Sequence, residues 1–259
     1  VSYNTITSTS ERTQAVADAK SLTVETRNGR ITLIKDATAT QVHVTARIKC
    51  GGADKAEADQ RANDSTLSAE VQSDGMLRVN VTFAPCANGN KHYPNDGASI
   101  EIRAAALTGV NLTTSNGAIA ADGFDGVLNA RSSNGGIKVT GHNGAVHVDT
   151  SNGGLEILNA AGPLELETSN GAINASLASG SSQSVNMRSS NGSVKLELPS
   201  SWNGAMTAKT SNGKVTVKAE TGRATNISAS RGDGSATIGN GNAKVTVRTS
   251  NGGVLVTVR

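Results

Sequence analysis

The sequence predicts an all-β fold, a right-handed parallel β-helix or β-solenoid with two strands in each coil of about 18–21 residues. Three observations carry this. The first is composition: 259 residues include 29 Gly but only two Phe, two Tyr and one Trp. A core poor in aromatics needs a thin, regular architecture built on Val, Ile, Leu and Ala. The second is a repeat. Thr/Ser-Ser-Asn-Gly recurs with its Asn at 116, 134, 152, 170, 191, 212 and 251, at spacings of 18, 18, 18, 21, 21 and 39. The third is parity. The third and fifth residues after each Asn are apolar (Ile137/Val139, Leu155/Ile157, Val194/Leu196), as are the sixth and fourth before the next (Val146/Val148, Leu164/Leu166, Val185/Met187). Polar residues fill the positions between, so each unit holds two strands with one face buried.

In chain order, residues 20–50 hold one related coil, with Leu22 and Val24 before Asn28-Gly29 and Ile31 and Leu33 after it. Residues 53–72, rich in Ala, Glu, Asp and Gln, predict one short helix that caps the coils. Residues 77–83 form a strand and 84–98 a loop. The expected organisation is therefore residues 1–98 as N-terminal coils with the helical insert and the loop, and 99–259 as the regular repeat, in one continuous domain. The 39-residue gap divides into 19 and 20 if Ser230-Arg231-Gly232 is a degenerate copy.

Stacked coils place like residues in columns about 4.8 Å apart. Asn116, Asn134, Asn152, Asn170, Asn191, Asn212 and Asn251 are expected to form a ladder of amides. The Ser and Thr before them are expected to hydrogen-bond the corner, and the following Gly to supply a positive φ. The column three before the Asn (Arg131, Asp149, Glu167, Arg188) and the Lys138/Glu156 pair read as solvated faces with opposite charges within pairing distance.

The order of Asn28-Gly29, Ala/Glu-rich helix, strand and loop, Ile100/Ile102, then Leu112 leading into repeated Ser-Asn-Gly resembles the bacterial putative-adhesin family of β-strand-repeat domains of unknown function. The resemblance covers nearly the whole chain. It implies a secreted or envelope-attached parallel β-solenoid and carries over no catalytic residue.

Several function classes lose ground on residue chemistry. A net charge of +3 with interspersed signs does not point to nucleic acid. No apolar run of about 18 residues exists, so no membrane insertion is expected. The four histidines lack metal-site spacing, with His43 and His147 outward by parity, and no cofactor is expected. Asp233, Asn240 and Asn242 lack the nine-residue calcium repeat. The acidic residues between 122 and 167 alternate with basic neighbours rather than lining a groove, and Asp122/Asp125 near Phe124 read as solvated corners, so no enzyme is expected. The Thr/Ser column has inward or corner parity, which removes ice binding. Arg231-Gly232-Asp233 reads as an exposed corner whose match to a cell-adhesion tripeptide is of the kind chance supplies.

The positive expectations are four. Cys50 and Cys86 are candidates for a disulfide in an exported protein. The start at Val1 reads as a processed end, hence an extracellular or cell-surface location. Val254, Val256 and Val258 form an uncapped final strand, an edge through which copies could stack head to tail into filaments, with the polar segment 1–20 covering a neighbour's edge. The role is then structural or adhesive. The alternative is a monomeric module for a surface glycan or the cell envelope, with Trp202 and Tyr93 as the aromatic candidates.

Overall fold

The computed structural model describes residues 6–17, 19–87, 89–90, 92–219 and 224–259. The fold is all-β with one helix, and its strands lie in two large mixed sheets with no closed barrel. The chain divides into two compact units, residues 1–120 and 121–259.

The first unit contains β1 (Ile6–Val16), β2 (Ser21–Thr26), β3 (Ile31–Lys35), β4 (Val42–Gly52), α1 (Lys55–Asp64), β5 (Thr66–Val71), β6 (Met76–Thr82), β7 (Gly97–Ala104) and β8 (Gly109–Thr114). β2 lies between β6 and β8, parallel to both, and β3 runs parallel to β7. The remaining pairs, β1–β4, β4–β7 and β5–β6, are antiparallel. β1 is therefore bound to its own β4 along eleven residues and is not an arm free for a neighbour; residues 1–5 lie outside the described residues.

The helix is shorter than the 53–72 its composition suggests. Asp54 caps it by accepting from the Glu57 N–H (2.8 Å), and the Glu57 carboxylate reaches back to the Ala53 N–H (2.7 Å). It ends where the Ser65 N–H bonds the Arg61 carbonyl. Beyond Ser65, Thr66 to Val71 pair antiparallel with β6 and bury Ala69. Tertiary pairing overrides a helix propensity worth only tenths of a kcal/mol per residue.

β9 (Ile119–Asp122) leads into the second unit. That unit contains β10 (Val127–Ser132), β11 (Ile137–Thr140), β12 (Val146–Thr150), β13 (Leu155–Ala160), β14 (Leu164–Thr168), β15 (Ile173–Leu177), β16 (Val185–Ser189) and β17 (Val194–Leu198). It continues with β18 (Gly204–Asn212), β19 (Val215–Ala219), β20 (Ala224–Ala229), β21 (Asp233–Ile238), β22 (Ala243–Asn251) and β23 (Val254–Val258). Each repeat contributes one strand to each of two parallel ladders. One runs β10-β12-β14-β16-β22-β18 and the other β11-β13-β15-β17-β23-β19. Pairing is in register, so Leu128 faces Val146, Val146 faces Leu164, and Leu164 faces Val185. These residues are buried, each stabilising by about 1.5–3 kcal/mol relative to an exposed position.

Chain order and stacking order diverge at the C-terminal end. Residues 243–258 insert between the repeat ending in β17 and the repeat formed by β18 and β19. β23 thus has neighbours on both sides, and Val254, Val256 and Val258 are buried. They are not an edge; among the described strands β19 ends that ladder. Nor is Ser230-Arg231-Gly232 a degenerate repeat. Ser230 to Asp233 is the tight turn between antiparallel β20 and β21, closed by the Ser230 N–H to Asp233 carbonyl bond (2.8 Å), with Gly232 at φ +91°.

Candidate functional site: an amide ladder and the face beside it

The expected Asn ladder forms in the second unit. Asn152 Nδ2 donates to Asn134 Oδ1, Asn170 to Asn152, Asn191 to Asn170, Asn251 to Asn191 and Asn212 to Asn251, each at 2.8 Å. In the first unit Asn116 Nδ2 donates to Asn28 Oδ1 (2.5 Å), and Asn28 Nδ2 to the Asp96 carbonyl (2.8 Å). One rung's donor is the next rung's acceptor, so a row of identical amides satisfies itself.

The hydroxyl column lies inside the corner. Thr150, Thr168, Ser189, Thr249 and Thr210 are buried and donate to the carbonyls of Gly135, Gly153, Gly171, Gly192 and Gly252 at 2.8–3.1 Å. Thr150 Oγ1 also accepts from the Gly153 N–H (3.3 Å), so one hydroxyl ties its own turn to the repeat beside it.

The glycine after each Asn is there for a different reason than expected. None of these glycines has a positive φ. The constraint is stacking: a Cβ on Gly153 would lie 2.1 Å from the Gly135 carbonyl oxygen, and one on Gly171 1.9 Å from that of Gly153. Corners of successive repeats approach so closely that only hydrogen fits.

The outward faces are less uniform than their sequence. Lys138 and Glu156 pair at 2.9 Å. The column three before each Asn, in stacking order, reads Arg131, Asp149, Glu167, Arg188, Arg248, Lys209. Asp149 faces Glu167, and Arg188 faces Arg248, which faces Lys209. Opposite charges therefore do not alternate along it; an acidic pair, Asp149 and Glu167, is followed by three basic residues in a row. Arg248 stands directly beside Arg188 because residues 243–258 insert there, and Lys209 follows on its other side. Their position three before Asn251 and Asn212 was the available signal. Beside them lie Lys244 and the register Asn186–Thr246–Thr207. A depression of about 560 Å³ opens here, lined by His147, Glu165, Ser184, Asn186, Arg188, Lys244, Thr246 and Arg248. His147 Nδ1 and Glu165 are 3.0 Å apart, and both are exposed.

A second cluster, missed in the sequence, lies in the first unit. Arg61 on α1 and Asp96 in the 84–98 segment are both 3% exposed and form a forked pair at 2.8 and 3.0 Å. Arg61 also donates to the carbonyls of Gly51, Ala84 and Pro85, and Asp96 accepts from the Gly51 and Tyr93 N–H groups. Burial pushes the Asp96 carboxyl up, but Arg61 and the two N–H groups outweigh it and hold the group below its usual range. Tyr93 stacks over Arg61, 5.1 Å from guanidinium to ring centre, and its hydroxyl bonds Glu57. With every donor on Arg61 used, this is a clamp joining helix, strand end and loop. An Arg in an Ala-rich helix with a weak apolar stripe gives no sign that it is buried.

The remaining candidates fall around these features. Cys50 and Cys86 are separate buried thiols rather than a bridge, and Cys50 Sγ contacts Ser65 Oγ at 3.4 Å. Burial pushes both thiols above their ordinary value. Trp202 is fully buried and donates Nε1–H to the Gln183 carbonyl (3.0 Å), so it offers no exposed ring; Tyr93 is half-buried. Phe124 is also buried, and Asp125 accepts from Asn143 Nδ2 (2.9 Å), a corner bond. His142 is buried: its Nδ1 accepts the Phe124 N–H and its Nε2 meets the Gly126 carbonyl, while His43 and His147 are exposed. Among the described residues no three or more His, Cys, Asp or Glu side chains gather as metal ligands, and no helix is long and apolar enough to cross a membrane.

Similar solved structures include a putative adhesin from Parabacteroides merdae, 14% identical over 97% of this chain and 96% of that one, with a TM-score of 0.43. Another is a putative adhesin from Bacteroides fragilis, 14% identical over 97% of both chains, TM-score 0.42. A third is a putative cell adhesion protein from Clostridium sporogenes, 12% identical over 97% of this chain and all of that one, TM-score 0.40. No curated protein matches the chain. A family model does, over residues 110–257, which hold the whole second-unit amide ladder of Asn134, Asn152, Asn170, Asn191, Asn251 and Asn212, and the chain belongs to that family, DUF7330, a domain of unknown function.

Proposed function

We propose that the chain is a non-enzymatic, extracellular scaffold, a right-handed β-solenoid whose role is structural or adhesive. The observation that supports this best is the unbroken amide ladder Asn134–Asn152–Asn170–Asn191–Asn251–Asn212 beside a buried hydroxyl column. Such a corner converts repetition into rigidity. Every repeat is bonded to the next through side chains as well as backbone, and nothing at the corner is spent on a reacting group. The faces alongside are then free to vary, and they carry the charge. End-to-end assembly, if it occurs, runs through β19 rather than β23.

The test is adhesion without turnover. Beads coated with the chain are expected to hold to polysaccharide films and to leave no soluble sugar products. Beads retained no better than albumin-coated ones, or a film that loses sugar, would overturn the reading. Light scattering and negative-stain electron microscopy of the same protein separate a monomeric adhesive module from an assembling one.

A further inference from the structure

We infer that the basic row of the outward face, Arg188, Arg248 and Lys209 on β16, β22 and β18, is a docking surface for an extended carboxylated polysaccharide. The inference rests on the adhesive reading above and specifies its partner. Three cations stand in direct register on neighbouring parallel strands, and all three are exposed. Like charges directly opposed in a sheet are destabilising. Arg188 and Arg248 have no carboxylate within 4.0 Å and no hydrogen bond among the described residues, and Lys209 reaches Asp233 only at 3.9 Å. Lys244, four residues before Arg248 on the same strand, adds a fourth exposed cation.

The stacking geometry makes this a row. Neighbouring strands lie about 4.8 Å apart, so the three cations present a line about 10 Å long that a polyanion can follow. Bound carboxylates would relieve the repulsion the sheet now bears. Two arginines in register favour the planar carboxylate, which a guanidinium fork grips with two parallel hydrogen bonds. Asn186, Thr246 and Thr207 form a second register on the same face, an amide and two hydroxyls placed for sugar hydroxyl groups. The depression of about 560 Å³ beside Arg188 and Arg248 gives the row relief. At the far side Glu167 and Asp149 reverse the sign and end the row, while Glu165 is engaged with His147. A second copy, docking its acidic pair on the basic row, suits the face less well. About six strands of five residues make a patch of a few hundred Å² per partner, below the roughly 800 Å² of a stable interface.

The experiment measures binding of labelled polygalacturonate to the full chain, with dextran and dextran sulfate as comparisons. Polygalacturonate is expected to bind, to weaken as salt rises to about 0.5 M, and to outcompete dextran sulfate, with no binding to dextran. Arg188→Glu/Arg248→Glu is expected to weaken it roughly 10- to 100-fold. Arg131→Glu/Lys138→Glu, the same charge change elsewhere in the unit, should leave it within about twofold. Arg188→Lys/Arg248→Lys, which keeps charge and loses the fork, should fall between. Equal loss in the two Glu variants, dextran sulfate binding as well as the uronate, or no uronate binding would overturn the inference. So would a dimer that the Arg188→Glu/Arg248→Glu variant dissolves. Bead adhesion that survives this variant would remove the site and leave the adhesive reading standing.

Discussion

In residues 1–120 the most deeply committed polar group is an ion pair; in residues 121–259 it is a row of uncharged amides and hydroxyls. The first arrangement is used once and draws on three separate stretches of chain, the strand end at Gly51, the helix at Arg61 and the loop that holds Ala84, Tyr93 and Asp96. The second is used at every repeat and each time needs only two neighbours. A repeat can solve its polar problem locally and copy the solution. A region joining antiparallel strands, a helix and a loop has no such period, and it gathers unlike segments around one strong centre. Damage should therefore spread differently in the two units.

The largest effect is expected at a stacked corner. Gly153→Ala puts a methyl 2.1 Å from a backbone oxygen, whereas at Gly154, one residue on, the nearest atom is 3.4 Å away. Backbone must move for the first and not for the second. Gly153→Ala is expected to cost at least about 4 kcal/mol, at the extreme of single substitutions, and Gly154→Ala less than about 1. Urea unfolding of both variants checks this. Equal destabilisation would mean that the corner opens at little cost.

Next comes the clamp. Arg61→Ala strands a buried carboxylate and is expected to cost about 3–5 kcal/mol, whereas Arg61→Met/Asp96→Leu, which removes both charges, should cost less, its remaining cost coming from the Gly51 and Tyr93 N–H groups that lose their acceptor. The clamp also gives the first unit an acid limit. Asp96 is held below its ordinary value of 3.8, so its contribution is fully present above that value and is lost as pH falls through the lower, folded-state value. Thermal melts from pH 6 to pH 2 should show the unit losing stability below about 4, and the double variant should lose less.

The hydroxyl column ranks third. Thr168→Val keeps the shape and removes a buried donor to Gly153 O at 2.9 Å, leaving a carbonyl underused; about 1–3 kcal/mol is expected from chemical denaturation. Thr168→Ser keeps the bond and should cost less. Together with the glycine variants this separates what the corner needs from bonding and what it needs from space.

Much of this unit was legible in the sequence because its period is short and its columns are chemical. The parity that marked Leu128, Val146, Leu164 and Val185 is the parity of burial, and the recurring Asn is the ladder. Stacking order was not legible. Val245/Val247 and Val254/Val256 fit beside any repeat, so nothing in their side chains says that they insert before Gly204–Asn212 rather than after it. That one step decides which charges become neighbours and moves the open strand from Val254–Val258 to Val215–Ala219. The glycine misreading has a similar root. Asn-Gly is a strong turn signal locally, while the close approach it serves here comes from a residue 18 positions away. Trp202 and Arg61 were hidden for the opposite reason, since each is a single residue without a period to betray its burial.

The smallest expected effect tests how far the amide ladder shares its load. Asn170 donates to Asn152 and accepts from Asn191, while Asn212, the terminal rung, makes one ladder bond, as a donor to Asn251. All these amides are exposed, so water can replace a lost partner, and each bond is worth about 0.5 kcal/mol, the low end for a neutral hydrogen bond. Asn170→Ala is then expected to cost about 1 kcal/mol and Asn212→Ala about half as much. Hydrogen bonds in a row polarise one another, so breaking the middle should weaken rungs that remain. A double-mutant cycle between Asn134 and Asn191, which do not touch but share the row, reads this directly. A coupling above about 0.5 kcal/mol would show the ladder acting as one element; strict additivity would show independent bonds, with corner rigidity residing in the buried hydroxyls and stacked glycines beneath.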